Sequence, residues 1–433
     1  DIIRLSENTA IMMGIGILSI VIGLFVTYYT SDDGKVLEMH RVFTEHRFWT
    51  NILNNATFFL VVALLAFFLM CGFVTGYSGW FVVFKRVMEA MSTFIPVGGV
   101  LVLIVVLAGV FGIHDIYFWT DPSLVDPGDA HYDELIHKKS GLLNSTGFIA
   151  CTIIFVALWT FFARKIRSIS IAEDNDDNAG LKWYKKSKVW TASFLPIGAF
   201  TTAFAIWYWL MSTEPHWYST MFAWYTTASW MVSAIAAVIV ILYYLQSKGY
   251  YKEVLLTHYH DLGKFLFGFS IFWTYLWFSQ YMLIWYANIG EETIHFKNQL
   301  ENFPVLFYGL LIINFGMPLI ILMRNDTKWK SGSLIFMCIM ILIGHWLDFF
   351  MMAKAGVYYE LNHHMGIHHP EFMMGFNFPG LIEVGTMIGF LGLFIFVVFS
   401  SLGKANLIPT NDPFLGETLT HQGGPLGPEI HHH

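Results

Sequence analysis

Apolar runs of membrane-spanning length alternate with short polar breaks along the 433 residues. A hydrocarbon core about 30 Å thick requires roughly 20 apolar residues of helix. Ten segments meet that length, at about 10–29, 51–74, 92–113, 142–165, 189–211, 219–246, 261–287, 303–323, 331–351 and 379–402. Lipid offers no hydrogen-bond partners, so each run is expected to close its backbone bonds internally as a helix; the runs are too long for barrel strands. The longest polar intervals, about 114–141 and 352–378, are too short for a separate folded domain. The expectation is therefore an all-α integral membrane protein, one polytopic domain over 1–433, with residues 403–433 as a tail. The run Ile11–Val26 lacks a small-residue cleavage site after it, which favours a retained first span over a signal peptide.

Composition sharpens this picture. Hydrophobic residues make up 56% of the chain and charged residues 13%, about half the charged share of soluble domains. Seventeen of the 24 Lys and Arg fall at the N-terminus, in the even-numbered loops and at the C-terminus. By the positive-inside rule both termini face the cytoplasm. The opposite side carries acidic and aromatic stretches, "DPSLVDPGDAHYDE" (121–134), "STEPHW" (212–217) and "NIGEETIHF" (288–296). No basic field of the kind that binds nucleic acid is present. Cys71, Cys151 and Cys338 each stand alone in an apolar run, so zinc and iron–sulfur motifs are absent, and they read as small packing residues.

Ionisable groups at membrane depth are costly and mark candidate function. In "ILIGHWLDFFMM" (341–352), His345 and Asp348 share one helix face, about 21 Å from the helix start at 1.5 Å per residue. That depth corresponds to the periplasmic third of the span. "GIHDIYFW" (112–119) brings His114, Asp115 and Tyr117 to a similar height, with Glu214 and His216 in the next loop. Imidazoles and carboxylates at one level suit acceptance of two protons from a two-electron donor; packing pairs and exposed helix ends are the plainer alternative. On the cytoplasmic side, Glu89 and "HYHDLGKF" (258–265), with His258, His260, Asp261 and Lys264, form either the mouth of a proton path or solvated helix ends, Asp261 having the character of an N-cap. Gln280, amid aromatics, is expected to bond between helices. His114 and His345 alone lie at haem-ligand depth, and neither helix offers a second His. The His-dense "NHHMGIHHPE" (362–371), with His363, His364, His368 and His369, reads as a docking loop or, less simply, a metal site.

The stretch "KFLFGFSIFWTYLWFSQYMLIWYANIGEE" (264–292) resembles the seventh helix of the F-type membrane component of alternative complex III, the quinol:cytochrome c oxidoreductase of bacteria lacking a bc1 complex. "VFKRVMEAMS" (83–92), "STEPHWYSTMFAWY" (212–225) and "IGHWLDFF" (343–350) support it in the same order. The resemblance implies the polysulfide-reductase membrane-subunit (NrfD-like) fold, with four-helix bundles of helices 2–5 and 6–9 and helices 1 and 10 outside. It implies no prosthetic group in this chain, menaquinol or a similar quinol as substrate, and the bacterial cytoplasmic membrane as location. Implied partners are an iron–sulfur subunit, multihaem cytochrome c subunits, a sister C-type membrane subunit, small membrane subunits and a terminal oxidase.

Two readings follow. In one, His114, Asp115, His345 and Asp348 receive the hydroxyls of quinol, Trp207 and Tyr117 stack on the ring, and protons leave past Glu214. In the other, the chain conducts protons or is structural, with Glu89, His258, His260, Asp261 and Lys264 leading through Gln280 to His345 and Asp348. A free-standing secondary transporter is a third; the paired broken helices of that class are faint, Pro96, Pro196 and Pro318 having no clear pairing.

Overall fold

The computed structural model describes residues 2–29, 35–178, 180–367 and 372–421, without the side chains of 2–6, 28–29 and 35–41. The side chains of Arg4, Lys35 and Arg41, together with His368, His369 and the terminal 422–433, lie outside what is described. Among the described residues the regular structure is helix joined by loops, and nine helices are long and apolar enough to cross a membrane. The main helices are α1 Ile2–Tyr29, α2 Lys35–Thr75, α3 Ile95–Val110, α4 Ser145–Asp174, α5 Lys182–Trp209, α6 Thr220–Ser247, α7 Leu256–Ala287, α8 Pro304–Leu322, α9 Ser331–His364 and α10 Leu381–Leu402. The expected seventh segment, 261–287, lies inside α7. That helix has the length, but Trp273, Tyr275, Trp277, Tyr281, Trp285 and Tyr286 make it aromatic rather than purely aliphatic.

Packing divides these helices into two rings, and α2 of the first borders the second. In the first, α2 meets α3, α3 meets α4, α4 meets α5, and α5 returns to α2. In the second, α6 meets α7, α7 meets α8, α8 meets α9, and α9 returns to α6. Because α2 also touches α6 and α9, it is almost wholly buried, and its polar residues must find partners inside. Asn55 Nδ2 donates to Asn51 Oδ1 at 2.9 Å, Asn51 Nδ2 to Thr386 Oγ1 at 3.1 Å, and Trp346 Nε1 to Asn55 Oδ1 at 3.0 Å. This ladder ties α2 to α9 and α10.

Outside the rings, α1 lies against α10. Gly16 and Gly389 meet backbone to backbone, and Gly385 and Gly392 receive Ser19 and Met12. Small residues permit such close approach where apolar burial supplies no drive between helices in lipid.

Two expectations are corrected by the element lengths. The second helix begins at Lys35, well before 51, and α9 continues to His364, absorbing part of the predicted loop 352–378. Nor is 403–421 a free tail. It crosses the basic end of the rings, with Lys85 Nζ on Asp412 Oδ2 at 2.9 Å, Tyr251 donating to Leu407 O at 3.0 Å, and Thr418 donating to Trp80 O at 2.6 Å.

Candidate functional site

The His345–Asp348 pair sits near the middle of α9. The helix has 34 residues, about 51 Å at 1.5 Å per residue, so 21 Å from Ser331 falls short of its midpoint. Both side chains are 0% exposed. Their surroundings come from α6 and α7. Asp348 Oδ1 accepts from the Tyr225 hydroxyl, and Oδ2 accepts from Ser229 Oγ at 3.1 Å and Trp273 Nε1 at 3.2 Å. Ser229 Oγ lies 2.8 Å from His345 Nδ1, and the Trp273 ring stands edge-on to the imidazole.

Hydrogen counting orders this cluster. Ser229 has one proton, donated to Asp348, so its oxygen accepts from His345 Nδ1–H. The other nitrogen, Nε2, is buried without a partner. On the neighbouring helix, Asn314 packs against Gly344, and both polar atoms of its side chain are likewise buried and unpartnered. The arrangement is a wire: a proton delivered to Nε2 lets Nδ1 release one through Ser229 to Asp348. The π-turn Ile312–Gly316 that presents Asn314 has a local cause. Pro318 has no N–H to give the carbonyl four residues back, which is that of Asn314.

His114 and Asp115 do not join this cluster. His114 Nε2 donates to Val105 O at 3.0 Å, its Nδ1 accepts from Ile116 N at 3.4 Å, and its ring lies on Trp49. Burial pushes its pKa down to about 4. Both nitrogens are engaged, so His114 stands apart from the His345–Asp348 cluster. Asp115 instead lines a separate cavity of about 970 Å3, with His46, Phe118 and His364. Tyr117 gives its hydroxyl to Trp209 O at 3.0 Å.

Glu214 is also elsewhere. Its Oε2 meets His295 Nδ1 at 2.7 Å at the acidic end, and His216 bridges Asp133 Oδ2 at 2.7 Å and Glu360 Oε1 at 3.0 Å. Glu360, then Asp133, hold His216 protonated, with its pKa pushed up to about 9.

Gln280 cannot lead from the basic end to the pair. Trp273 already stands level with Asp348, and Gln280 lies about 10 Å further along α7. There its amide donates to Ser219 Oγ at 2.9 Å, the interhelical bond expected of it.

The basic-end set splits in two, its acids and imidazoles largely buried and Lys264 exposed. Glu89, 1% exposed, pairs with Arg86 at 2.7 Å inside a network with Lys85, Glu173, Asp174 and Asp412. Asp261 lies inside α7, not at its cap. It binds His421 Nε2 at 2.6 Å and Lys264 Nζ at 2.5 Å, and the capping position is filled by the His258 ring, which accepts from Leu255 N at 2.9 Å. His260 is stacked on Trp329 and bonded to Asn325, with its Nδ1 3.6 Å from Asp261 Oδ1.

In the His-dense loop, His363 stacks on Tyr359 and His364 on Phe118, so the two diverge. Among the described residues no group of three or more His, Cys, Asp or Glu is placed to hold a metal ion.

Sequence reasoning missed Tyr225, Ser229, Trp273 and Asn314. Ser229 and Tyr225 carried a faint signal, polar groups one turn apart in "WYTTASW" (224–230). No family model matches the chain, and no curated relative matches it.

Proposed function

We propose that this chain is a membrane subunit of a quinol-oxidising respiratory complex of the alternative complex III type, and that its part there is proton handling. The observation that carries the reading is the His345–Ser229–Asp348–Tyr225 wire. It is buried at mid-helix, filled by its own protein partners, and ends in an unpartnered imidazole nitrogen. A closed cluster of this kind passes protons and leaves no room for a quinol ring. The sequence resemblance supplies the setting: ten spans as two four-helix bundles with helices 1 and 10 peripheral, both termini cytoplasmic, in a bacterial cytoplasmic membrane. Electrons would pass through partner iron–sulfur and multihaem cytochrome c subunits beside a sister C-type membrane subunit.

The test is quinol:cytochrome c turnover by the intact complex carrying Asp348→Asn. Asn keeps the size and the acceptor oxygen but cannot take up the proton. Turnover is expected to fall at least tenfold with the complex assembled, and Ser229→Ala to fall with it. Unchanged turnover in both would reduce the wire to packing and remove the reading.

A second reading, in which this chain itself holds quinol, is favoured by the 970 Å3 cavity, where Asp115 stands beside Phe118 and His364. Asp115→Asn separates the two readings. It should raise KM for quinol if the ring binds there, and leave KM unchanged if the chain only conducts protons.

A further inference from the structure

At the acidic end, a cavity of about 240 Å3 lies between the loop after α5 and the last turns of α9. Glu214, Glu291, Glu360, Trp217 and Tyr359 are among its walls. Two of its carboxyl groups are only half satisfied. Glu360 is 0% exposed; its Oε1 meets His216, and its Oε2 is buried with no partner. Glu214 is 3% exposed; its Oε2 meets His295, and its Oε1 is buried with no partner. Leaving a buried acceptor without a donor costs about 1–3 kcal/mol, and more for a charged group. Two such oxygens on one cavity mark a place for a donor that the chain does not supply.

The donors nearby already have partners, although the Lys139 ammonium keeps N–H groups beyond the one it gives Pro215. His216 gives its second nitrogen to Asp133, His295 Nε2 faces Gln299, and the Lys139 ammonium donates to Pro215 O. Glu214 packs on Gly356, one helical turn (about 6 Å) before Glu360, so both acids lie at the same end of α9. Glu291 adds an exposed third carboxylate. The complement is a cation, and its chemistry is narrowed by the walls. The absence, among the described residues, of a group of three or more ligating residues argues against a bare metal ion. The indole of Trp217 and the phenol of Tyr359 suit a planar cation with an apolar stem. A guanidinium presents parallel N–H groups to carboxylate oxygens and a weakly hydrated face to aromatic rings, whereas an ammonium does neither.

We infer that this cavity receives the guanidinium of an arginine carried by a partner polypeptide docked on the acidic end. The inference stands apart from the proton wire, since Glu360 lies three turns beyond Asp348, about 18 Å along α9.

The test uses the purified full-length chain in detergent, titrated with N-acetyl-arginine methylamide. The neutral isostere N-acetyl-citrulline methylamide, the lysine analogue and Mg2+ serve as competing probes. The arginine probe is expected to bind saturably and raise the melting temperature, with the citrulline probe inert. Glu360→Gln should weaken the arginine probe at least about fivefold, the factor that corresponds to about 1 kcal/mol. Glu291→Gln, at an exposed position, should weaken it by a smaller factor without risk to folding. Equal responses to arginine and citrulline, full affinity in both variants, a lysine probe as tight as arginine, or saturation by Mg2+ with arginine inert would each overturn the inference.

Discussion

Asp348 is a carboxylate at the middle of a membrane helix, and three donors from two other helices converge on it. Removing any one donor leaves the rest in place, but removing Ser229 also cuts the hydrogen-bonded link to His345. That asymmetry makes Ser229→Ala the more informative change, since packing alone would treat Ser229 and Tyr225 alike. At the acidic end, His216 supplies a pH prediction. Its pKa is raised from 6.5 to about 9 between Glu360 and Asp133. Burial would raise the Asp133 carboxyl, but hydrogen bonding from His216 and from backbone N–H groups outweighs it and holds Asp133 below the usual carboxylate range. A raised imidazole pKa adds stability that is fully present below pH 6.5 and lost as pH rises through about 9. The depressed Asp133 adds its share above pH 3.8 and loses it as pH falls through its lowered value. Melting temperature should therefore decline between about pH 6.5 and 9.5, and His216→Gln should flatten that decline. An equal decline in the variant would show that His216 is not its source.

At the scale of elements, the α1–α10 contact depends on backbone approach. A Cβ added at Gly389 would run into the backbone of Gly16, which cannot yield as a flexible side chain would. Gly389→Ala is expected to destabilise by about 1–3 kcal/mol, the usual cost of overpacking. Gly14, on the partner helix α1 with nothing within 4 Å of an added Cβ, should accept Ala without loss. Comparing the two variants by thermal melting separates packing from helix propensity, and equal melting points would refute the close-contact account. The α2 ladder shows another side of element pairing. Asn51 and Asn55 look like interruptions of an apolar run, yet they fasten α2 to α9 and α10.

For the molecule as a whole, the described part of the C-terminal segment acts as a strap across the basic end. Asp412 meets Lys85, Asn411 Nδ2 donates to the carbonyls of Glu173, Asp174 and Asp176, and His421 meets Asp261. Lys85 is nearly fully buried, and its other carboxylate, Glu173, is 3.8 Å away. Breaking one partner of a buried pair costs about 3–5 kcal/mol because the other charge is left uncompensated. Asp412→Ala should therefore loosen the strap, read as faster proteolytic cleavage within 404–421. Cleavage at the parental rate would mean the strap is held by its other bonds, such as those of Asn411 and His421.

Much of the architecture is legible in the residues because lipid permits so few solutions. Apolar runs of about twenty have to be helices, and Lys and Arg counts give their expected direction. His345 and Asp348 were legible for the same reason, since any ionisable group in "ILIGHWLDFFMM" stands out. What surrounds them was not. Tyr225, Ser229 and Trp273 belong to helices whose polar and aromatic residues are common, and only the closing of the second ring selects these three. Likewise, His114 and His345 shared a predicted height but landed in different environments, because depth along a helix says nothing about which way its face turns. The sequence by itself determined that the chain is a bundle of long apolar helices with rare polar groups inside. The tertiary structure alone decided which of those groups meet, since hydrogen bonds act within about 3 Å and are set by helix rotation and register.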